Sequence, residues 1–327
     1  MIVLIVGDEP AVVDAIALIK RQFNIKQLGR DFTEYLRCTL EKTEDGIKIL
    51  QDKLIKTIPQ IFEIPDKTFN TPAAPGLVLL KPKEEEVLLT PEQQSLYRSG
   101  VGKLLYLVKM SRPDIANCVR ELSKHMDKAT EVHLKAVHRV LGYVMSTQDY
   151  GIKLHVTPNT EEIEVVAYAD AAYATDQDNR KSVTGYLIYV NGSLVMWKSK
   201  MQEAVTLSST EAEYVVSVCL TDMLFIKAVA ESMQIKVKTP MTVYTDNTGA
   251  IDLLYNWTTA GRTRHIDIRH HFMRGFAEEG IFELKHVMSK FNRSDMMTKN
   301  LPEELYKSHS ASLPAPPDSE DLGRMLE

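Results

Sequence analysis

The stretch VVAYADAAYATD, residues 165–176, decides the fold because it combines the pattern of a buried strand with a carboxylate at the end of that strand. Val165, Val166 and Tyr168 favour a β-strand, and the run is short and apolar enough to be buried in a sheet. Asp170 stands at the end of that strand. Burying a lone carboxylate is unfavourable unless a partner compensates its charge or its pKa rises. The pattern therefore indicates a chemical role for Asp170.

A second strand of the same block ends in the same way. VYTDN places Asp246 directly after Val243 and Tyr244. Ligands of α/β sheets gather at the carboxyl ends of strands, so two such aspartates predict one shared cleft. Two negative charges in one cleft repel each other, and a cation is their natural partner. Mg²⁺ fits best, because it prefers hard oxygen ligands.

Two further acids extend this set, although each also has a purely structural explanation. Glu213, in SSTEAEYVV, has capping-box spacing from Thr210, and Asp295, in NRSDMMTKNL, can cap a final helix. Taken singly, capping is the better explanation of both. The four acids together can hold two divalent ions about 4 Å apart for phosphodiester hydrolysis. In chain order they are an Asp at a strand end, a Glu on a helix, a second strand-end Asp and an Asp in the terminal helix.

The composition is that of an ordinary globular protein. The 327 residues are 44% hydrophobic and 25% charged, with a net charge of -5, so the whole chain is not a strongly basic nucleic-acid binder. Three scattered cysteines fit no disulfide framework or zinc spacing and indicate a reducing compartment. The start, MIVLIVGDEP, lacks the features of a signal peptide, and no apolar run is long enough to span a membrane. We therefore expect an intracellular protein with no membrane partner, located in the cytoplasm, a virus-like particle or the nucleus, and not secreted.

The order of predicted elements divides the chain into three blocks. The first contains a strand (IVLIV), a helix and a strand–turn–strand pattern around Glu44–Gly46, and it ends at the linker TPAAPG. The second is helical, with Thr90 as an N-cap and Pro113 as an interruption. The third begins with the strands IKLHV, EVVAYAD, TGYLIYVNG and SLVMWKS and continues through a helix from about Ser209 to Met233. It ends in a helical SDMMTKNL.

From Tyr97 to Leu301 the chain resembles the C-terminal part of a Ty1/copia-type retrotransposon Pol polyprotein. The matching stretches occur in the family's order: YRSGVGKLLYLVKMSRPDIA, HLKAVHRVLGYVMSTQDYGIKL, YADAAYA, RKSVTGYLIYVNG, WKSKMQEAVTLSSTEAEY, YTDNTGAI, RTRHIDIRHHFMRG and DMMTKNL. The first block resembles the end of a reverse transcriptase palm. Ala172 and Tyr173 depart from the acid and tryptophan that the family usually has there.

The resemblance implies an α/β fold with an RNase H-like mixed sheet and flanking helices. It implies a truncated palm remnant at 1–74, a helical thumb or connection at 75–155, an RNase H-like domain at 156–304 and a disordered tail at 305–327. The polymerase's YVDD turn is not in the sequence, so we expect no autonomous DNA synthesis.

The resemblance also implies an activity, namely cleavage of the RNA strand of an RNA–DNA hybrid by two Mg²⁺ ions, with Mn²⁺ as an alternative. Asp170, Glu213, Asp246 and Asp295 match the family's metal-binding acids. Asp170 would bridge both ions, Glu213 and Asp246 would hold the leaving-group ion, and Asp295 would hold the ion that activates water. The hybrid is the expected partner, together with the remaining Pol polypeptide. The alternative is a catalytically silent remnant or a nucleic-acid-binding module.

The basic segment RTRHIDIRHHFMR lies between the third and fourth acids. We expect Arg262, Arg264, Arg269 and Arg274 to contact phosphates of the hybrid, because arginine binds phosphate bidentately. A solvated helix of mixed charge is the alternative, since Asp267 interrupts the segment.

Overall fold

The structure is a computed structural model that describes residues 9–25, 33–64, 69–155, 162–172, 176, 178–202, 208–256 and 264–313. Side chains are described at these positions except at 9, 11, 208–213, 256 and 264–270. The predicted first strand, IVLIV, lies outside the described residues.

The described ranges contain eleven strands and nine α-helices. The strands are β1 (Glu34–Tyr35), β2 (Cys38–Thr43), β3 (Gly46–Leu50), β4 (Ile152–His155), β5 (Glu162–Ile163), β6 (Val165–Ala172), β7 (Val183–Val190), β8 (Ser193–Met201), β9 (Lys236–Val237), β10 (Met241–Thr245) and β11 (Phe282–His286). The helices are α1 (Glu9–Gln22), α2 (Asp52–Ile55), α3 (Pro91–Met110), α4 (Ala116–Ser123), α5 (Glu131–Ser146), α6 (Ser208–Ser232), α7 (Thr248–Asn256), α8 (Arg264–Glu278) and α9 (Glu303–Ala311). Among the described residues, no helix has both the length and the apolar character that crossing a membrane requires.

The main sheet has five strands in the order β11–β10–β6–β7–β8. Strands β6, β7 and β8 form an antiparallel meander, and β10 runs parallel to β6 and to β11. Asn191 and Gly192 join β7 to β8 with positive φ angles of 46° and 76°, as an Asn-Gly hairpin turn requires. This arrangement confirms the predicted mixed sheet with flanking helices.

The two faces of the sheet pack against different layers. Along β6, Val165, Ala167 and Ala169 join the hydrophobic cluster that contains residues of α6, α7 and α8. Tyr168 points the other way, into a cluster shared with α3, α4 and α5. Because side chains alternate along a strand, Asp170 lies on the face of Tyr168. The helical region thus covers the face on which the first candidate acid lies.

The helical block follows its sequence signals. Thr90 Oγ1 accepts from the backbone N–H of Gln93 (3.3 Å), and Gln93 Oε1 accepts from the N–H of Thr90 (3.0 Å), which completes a capping box at α3. The helix ends at Met110, before Pro113. The indole N–H of Trp197 in β8 donates to the carbonyl oxygen of Val108 at 2.8 Å, which fastens α3 to the main sheet.

The strand IKLHV differs from its predicted place. It forms β4, which pairs antiparallel with β3 in a separate sheet of order β1–β2–β3–β4. The strand pattern itself was correct, but a strand of four residues carries no signal of which sheet it joins. Strand β4 thus extends the predicted strand–turn–strand unit around Glu44–Gly46, although it lies far from that unit in the sequence.

The predicted disordered tail is wrong for residues 305–313. Helix α9 occupies Glu303–Ala311, and Tyr306 is only 4% exposed. The hydroxyl of Tyr306 donates to the carbonyl oxygen of Asp114 at 3.0 Å and lies 3.1 Å from the hydroxyl of Tyr143. The Pro- and acid-rich composition that suggested disorder belongs to 314–327, which lies outside the described residues.

Candidate metal centre

Three of the four predicted acids come together at one end of the main sheet. Asp170 is near the end of β6, Asp246 directly follows the neighbouring parallel strand β10, and Asp295 lies in a 3-10 turn at Arg293–Met297. One carboxylate oxygen of each lies within 4.8 Å of the other two. We call these three side chains the acidic cluster. Strand-end reasoning placed the first two correctly, because β6 and β10 are adjacent and parallel.

Asp170 is buried and held by the turn that carries Asp295. It is 5% exposed, and the hydroxyl of Thr298 donates to its Oδ2. Burial raises the pKa of Asp170, the ammonium of Lys299 and the Thr298 hydroxyl oppose this rise, and repulsion from Asp246 adds to it. The net direction shows that the surrounding donors do not fully compensate the charge of this carboxylate.

Gly185 allows the turn to approach the sheet. It is the partner of Asp170 in the β6–β7 register. A Cβ at this position would lie 2.5 Å from Thr298 Cγ2, 2.7 Å from Met297 Cβ and 3.2 Å from the carbonyl oxygen of Ser294. Only glycine therefore leaves room for the turn to lie directly over β7, next to Asp170.

Asn292 connects the turn to both aspartate-bearing strands. Its side-chain N–H₂ donates to Asp246 Oδ1 at 3.2 Å and to the carbonyl oxygen of Ala169 at 3.3 Å. Its Oδ1 accepts from the backbone N–H of Ser294 at 3.3 Å and from the Ser294 hydroxyl at 2.6 Å. Asn292 is thus the N-cap of the turn. Asp295, which we expected to cap a final α-helix, lies inside this 3-10 turn instead and points toward the cluster.

The pKa of Asp295 is strongly raised by its surroundings. Burial raises its pKa to about 7, repulsion from Asp170 and Asp246 adds to this, and Lys299 opposes it. Its Oδ1 is buried and has no hydrogen-bond partner among the described residues. A buried carboxylate oxygen without a donor requires another form of compensation, either a proton or a bound cation.

Lys299 is a member of the site that the sequence reasoning missed. Its Nζ lies 3.4 Å from Asp170 Oδ2 and 3.2 Å from Asp295 Oδ2. Nearby acids, Asp170 first, raise the pKa of Lys299 although burial alone would lower it. The available signal was the spacing of four residues from Asp295, which places both side chains on one side of a helical turn.

The remaining predicted site residues lie largely outside the described side chains. Glu213 is in the second turn of α6, and its side chain is among those not described. Arg262 lies outside the described residues, and Arg264 and Arg269 are on α8 without described side chains. Arg274 is described, and its Nε lies 2.8 Å from Glu278 Oε1 in an exposed ion pair. A phosphate contact by Arg274 would compete with that pair.

The helical region holds the turn from the outside. Asn300 accepts from the side-chain N–H₂ of Asn117 (2.9 Å) and donates to the carbonyl oxygen of Leu77 (2.7 Å). The Ser199 hydroxyl donates to the carbonyl oxygen of Met297 at 2.5 Å and accepts from Arg120 Nε at 3.1 Å. The segment that carries Asp295 and Lys299 is therefore held by contacts at Met297 and at Asn300.

Comparison with known proteins places the chain in a family. No protein-family model matches the chain. The Retrovirus-related Pol polyprotein from transposon RE1 of Arabidopsis thaliana is 31% identical over 314 residues, which are 95% of this chain and 21% of the relative. The corresponding polyprotein from transposon TNT 1-94 of Nicotiana tabacum is 30% identical over 313 residues, which are 93% of this chain and 23% of the relative.

The chain belongs to the Ty1/copia-type Pol polyproteins. It spans less than a quarter of the length of these two Pol polyproteins, 21% and 23%. A solved structure of LC11-RNase H1 in complex with an RNA/DNA hybrid matches at 12% identity and a TM-score of 0.33, covering 41% of this chain and 94% of that one. A match of that size carries no argument about activity. Within this Pol-family chain, the five-stranded mixed sheet carries two members of the acidic cluster at the ends of β6 and β10.

Proposed function

We propose that the chain is a metal-dependent endonuclease of the ribonuclease H type that cleaves the RNA strand of RNA–DNA hybrids. The observation that carries this proposal is the convergence of Asp170, Asp246 and Asp295 to within 4.8 Å at the carboxyl ends of β6 and β10. Membership of the Pol polyproteins supports it, since the sequence resemblance to that family implies the same three acids as metal ligands. Hydrolysis would leave a 3′-hydroxyl and a 5′-phosphate.

The donor set fits Mg²⁺, with Mn²⁺ as an alternative. It consists of hard carboxylate oxygens, and one of them, Asp295 Oδ1, is buried with no donor in the part of the chain that the structure describes. Asp170, Asp246 and Asp295 would hold the ions, and Glu213 on α6 is proposed as the fourth ligand. When bound, two ions supply activation of a water and stabilisation of the leaving oxygen. Asn292 orients Asp246 for this task, and Thr298 orients Asp170.

The partners and the division of the chain are part of the same proposal. We infer that α8, with Arg264, Arg269 and Arg274, contacts hybrid phosphates, together with Arg262. The remaining Pol polypeptide is a second proposed partner, and the location is intracellular. We keep 1–74 as a palm remnant, 75–155 as a connection and 156–304 as the RNase H-like domain.

The test is cleavage of a labelled RNA–DNA hybrid by the purified chain in Mg²⁺. Asp246→Asn keeps the shape of the side chain, removes a metal ligand and should abolish cleavage. Asp252→Asn is the matched control, because Asp252 is an exposed carboxylate on the adjacent helix α7. The Asp252→Asn protein should cleave the hybrid like the wild type. Cleavage that survives Asp246→Asn would rule out the metal assignment. Hybrid binding without any cleavage would favour the silent nucleic-acid-binding module.

A further inference from the structure

Lys299 places a positive charge on the acidic cluster. Its Nζ lies 3.4 Å from Asp170 Oδ2 and 3.2 Å from Asp295 Oδ2. The side chains of Asp170 and Asp295 are 6% and 8% exposed, whereas 40% of the Lys299 side chain is exposed. The lysine therefore enters the cluster from the solvent side and covers oxygens that are otherwise buried.

The backbone of this lysine is held by hydrogen bonds, whereas its side chain reaches the cluster on a flexible stem. The N–H of Lys299 donates to the carbonyl oxygen of Asp295 at 2.9 Å, and the following residue, Asn300, is hydrogen-bonded to Asn117 and Leu77. A lysine ammonium stands on a flexible four-carbon stem, unlike the planar fork of arginine. The ammonium can thus leave the cluster toward solvent without any change in the turn that carries Asp295.

The oxygens that Lys299 contacts are also those that a divalent ion needs. An ammonium and Mg²⁺ on the same two carboxylates repel each other at short range, in surroundings where water screens charge weakly. We propose that Lys299 is an exchangeable counter-cation, which neutralises the acidic cluster in the metal-free protein and is displaced from it by Mg²⁺. This inference rests on the metal-binding part of the proposed function.

Two consequences follow for a variant without the ammonium. The metal-free protein loses a favourable ion contact, so its melting temperature falls. Mg²⁺ no longer competes with a resident cation, so it binds more tightly. Competition for one site is a coupling between two cations, and couplings between ligands typically change affinity by about 5- to 150-fold.

The experiment measures Mg²⁺ binding to the full chain, without nucleic acid, by calorimetric titration and by thermal unfolding with and without the metal. Lys299→Met should bind Mg²⁺ at least about fivefold more tightly than the wild type and melt at a lower temperature in a chelator. Lys299→Gln, a second neutral variant, should do the same, and Lys299→Arg should keep wild-type affinity. Lys285→Met is the matched control, because Lys285 is 43% exposed and pairs with Glu283 on β11.

Mg²⁺ affinity that is equal to or weaker than wild type in both neutral variants would overturn the inference. So would an equal gain of affinity in Lys285→Met, or a failure of wild type and variants alike to bind Mg²⁺. Failure of the proposed function looks different: the chain would show the competition in titrations and still not cleave a hybrid. That result would remove the nuclease activity and leave the counter-cation in place.

Discussion

Replacing Gly185 with alanine should damage the acidic cluster while leaving the protein folded. The glycine pairs with Asp170 across β6 and β7, and the turn at Arg293–Met297 lies directly over it. The new Cβ would stand 2.5 Å from Thr298 Cγ2 and 2.7 Å from Met297 Cβ. Met297 Cβ is attached directly to the backbone, and rotation of the Thr298 side chain would break its hydrogen bond to Asp170, so the backbone of the turn has to move.

The size of the effect follows from these distances. Carbon atoms pack at about 3.5 to 4.0 Å, so the turn has to retreat by about 1 Å. Overpacking of this kind costs about 1–3 kcal/mol, against a typical total stability of about 5–15 kcal/mol. The same movement carries Asp295 away from Asp170. A misplacement of about 1 Å in catalytic geometry can cost about 100-fold in rate, so we expect cleavage to fall much further than stability.

Hybrid cleavage at fixed Mg²⁺ and chemical unfolding of the same preparation separate the two effects. Gly102→Ala in α3 is the control, because no described atom beyond the backbone of its own helix and its two chain neighbours lies within 4 Å of its added Cβ. That change should stabilise the helix by about 0.5–1 kcal/mol and leave cleavage unchanged. Wild-type cleavage by a folded Gly185→Ala protein would refute the reasoning. If the variant is too unstable to assay, its Mg²⁺-dependent thermal shift should be smaller than that of the wild type, and an undiminished shift would refute the reasoning equally.

Two predictions concern stability rather than the site. Arg112 is fully buried and makes two hydrogen bonds to the carboxylate of Asp114, at 2.8 and 2.9 Å, so Arg112→Met should lower the free energy of unfolding by about 3–5 kcal/mol in denaturant titrations. As a control, Arg98→Met at an exposed position should change the free energy of unfolding by less than about 0.5 kcal/mol. An effect of Arg112→Met as small as that of the control would contradict the prediction. Burial, with help from His133, lowers the pKa of His125 from 6.5 to about 4, so the unfolded chain binds more protons between these values and stability falls as pH falls. By pH 5 this histidine should have cost about 2 kcal/mol, and His125→Gln should remove that part of the pH dependence; parallel curves for the two proteins would show that the assignment is wrong.

The sequence predicted those parts of the site that depend on local pattern. Asp170 and Asp246 each follow a recognisable strand, and the rule that ligands gather at strand ends brought them together. Lys299 could not be found in this way, because its contact with Asp170 spans 129 positions of the chain and depends on how the turn lies over Gly185. Tyr306 was missed for a different reason, since the composition of the residues after it dominated the interpretation of the whole tail.

The helical region is needed to position the segment that carries Asp295 and Lys299. The segment from Asp295 to Asn300 has too little regular structure to fix its own position, because the 3-10 turn in which it begins has only five residues and ends at Met297. Its outer side is therefore held by groups from elsewhere, with Asn300 bound to Asn117 of α4 and to Leu77. The inner side faces Asp170 through Thr298. Two of the three clustered acids are set by the sheet, and the third is set by the packing of the helical region against it, so the acidic cluster is a product of both parts of the chain.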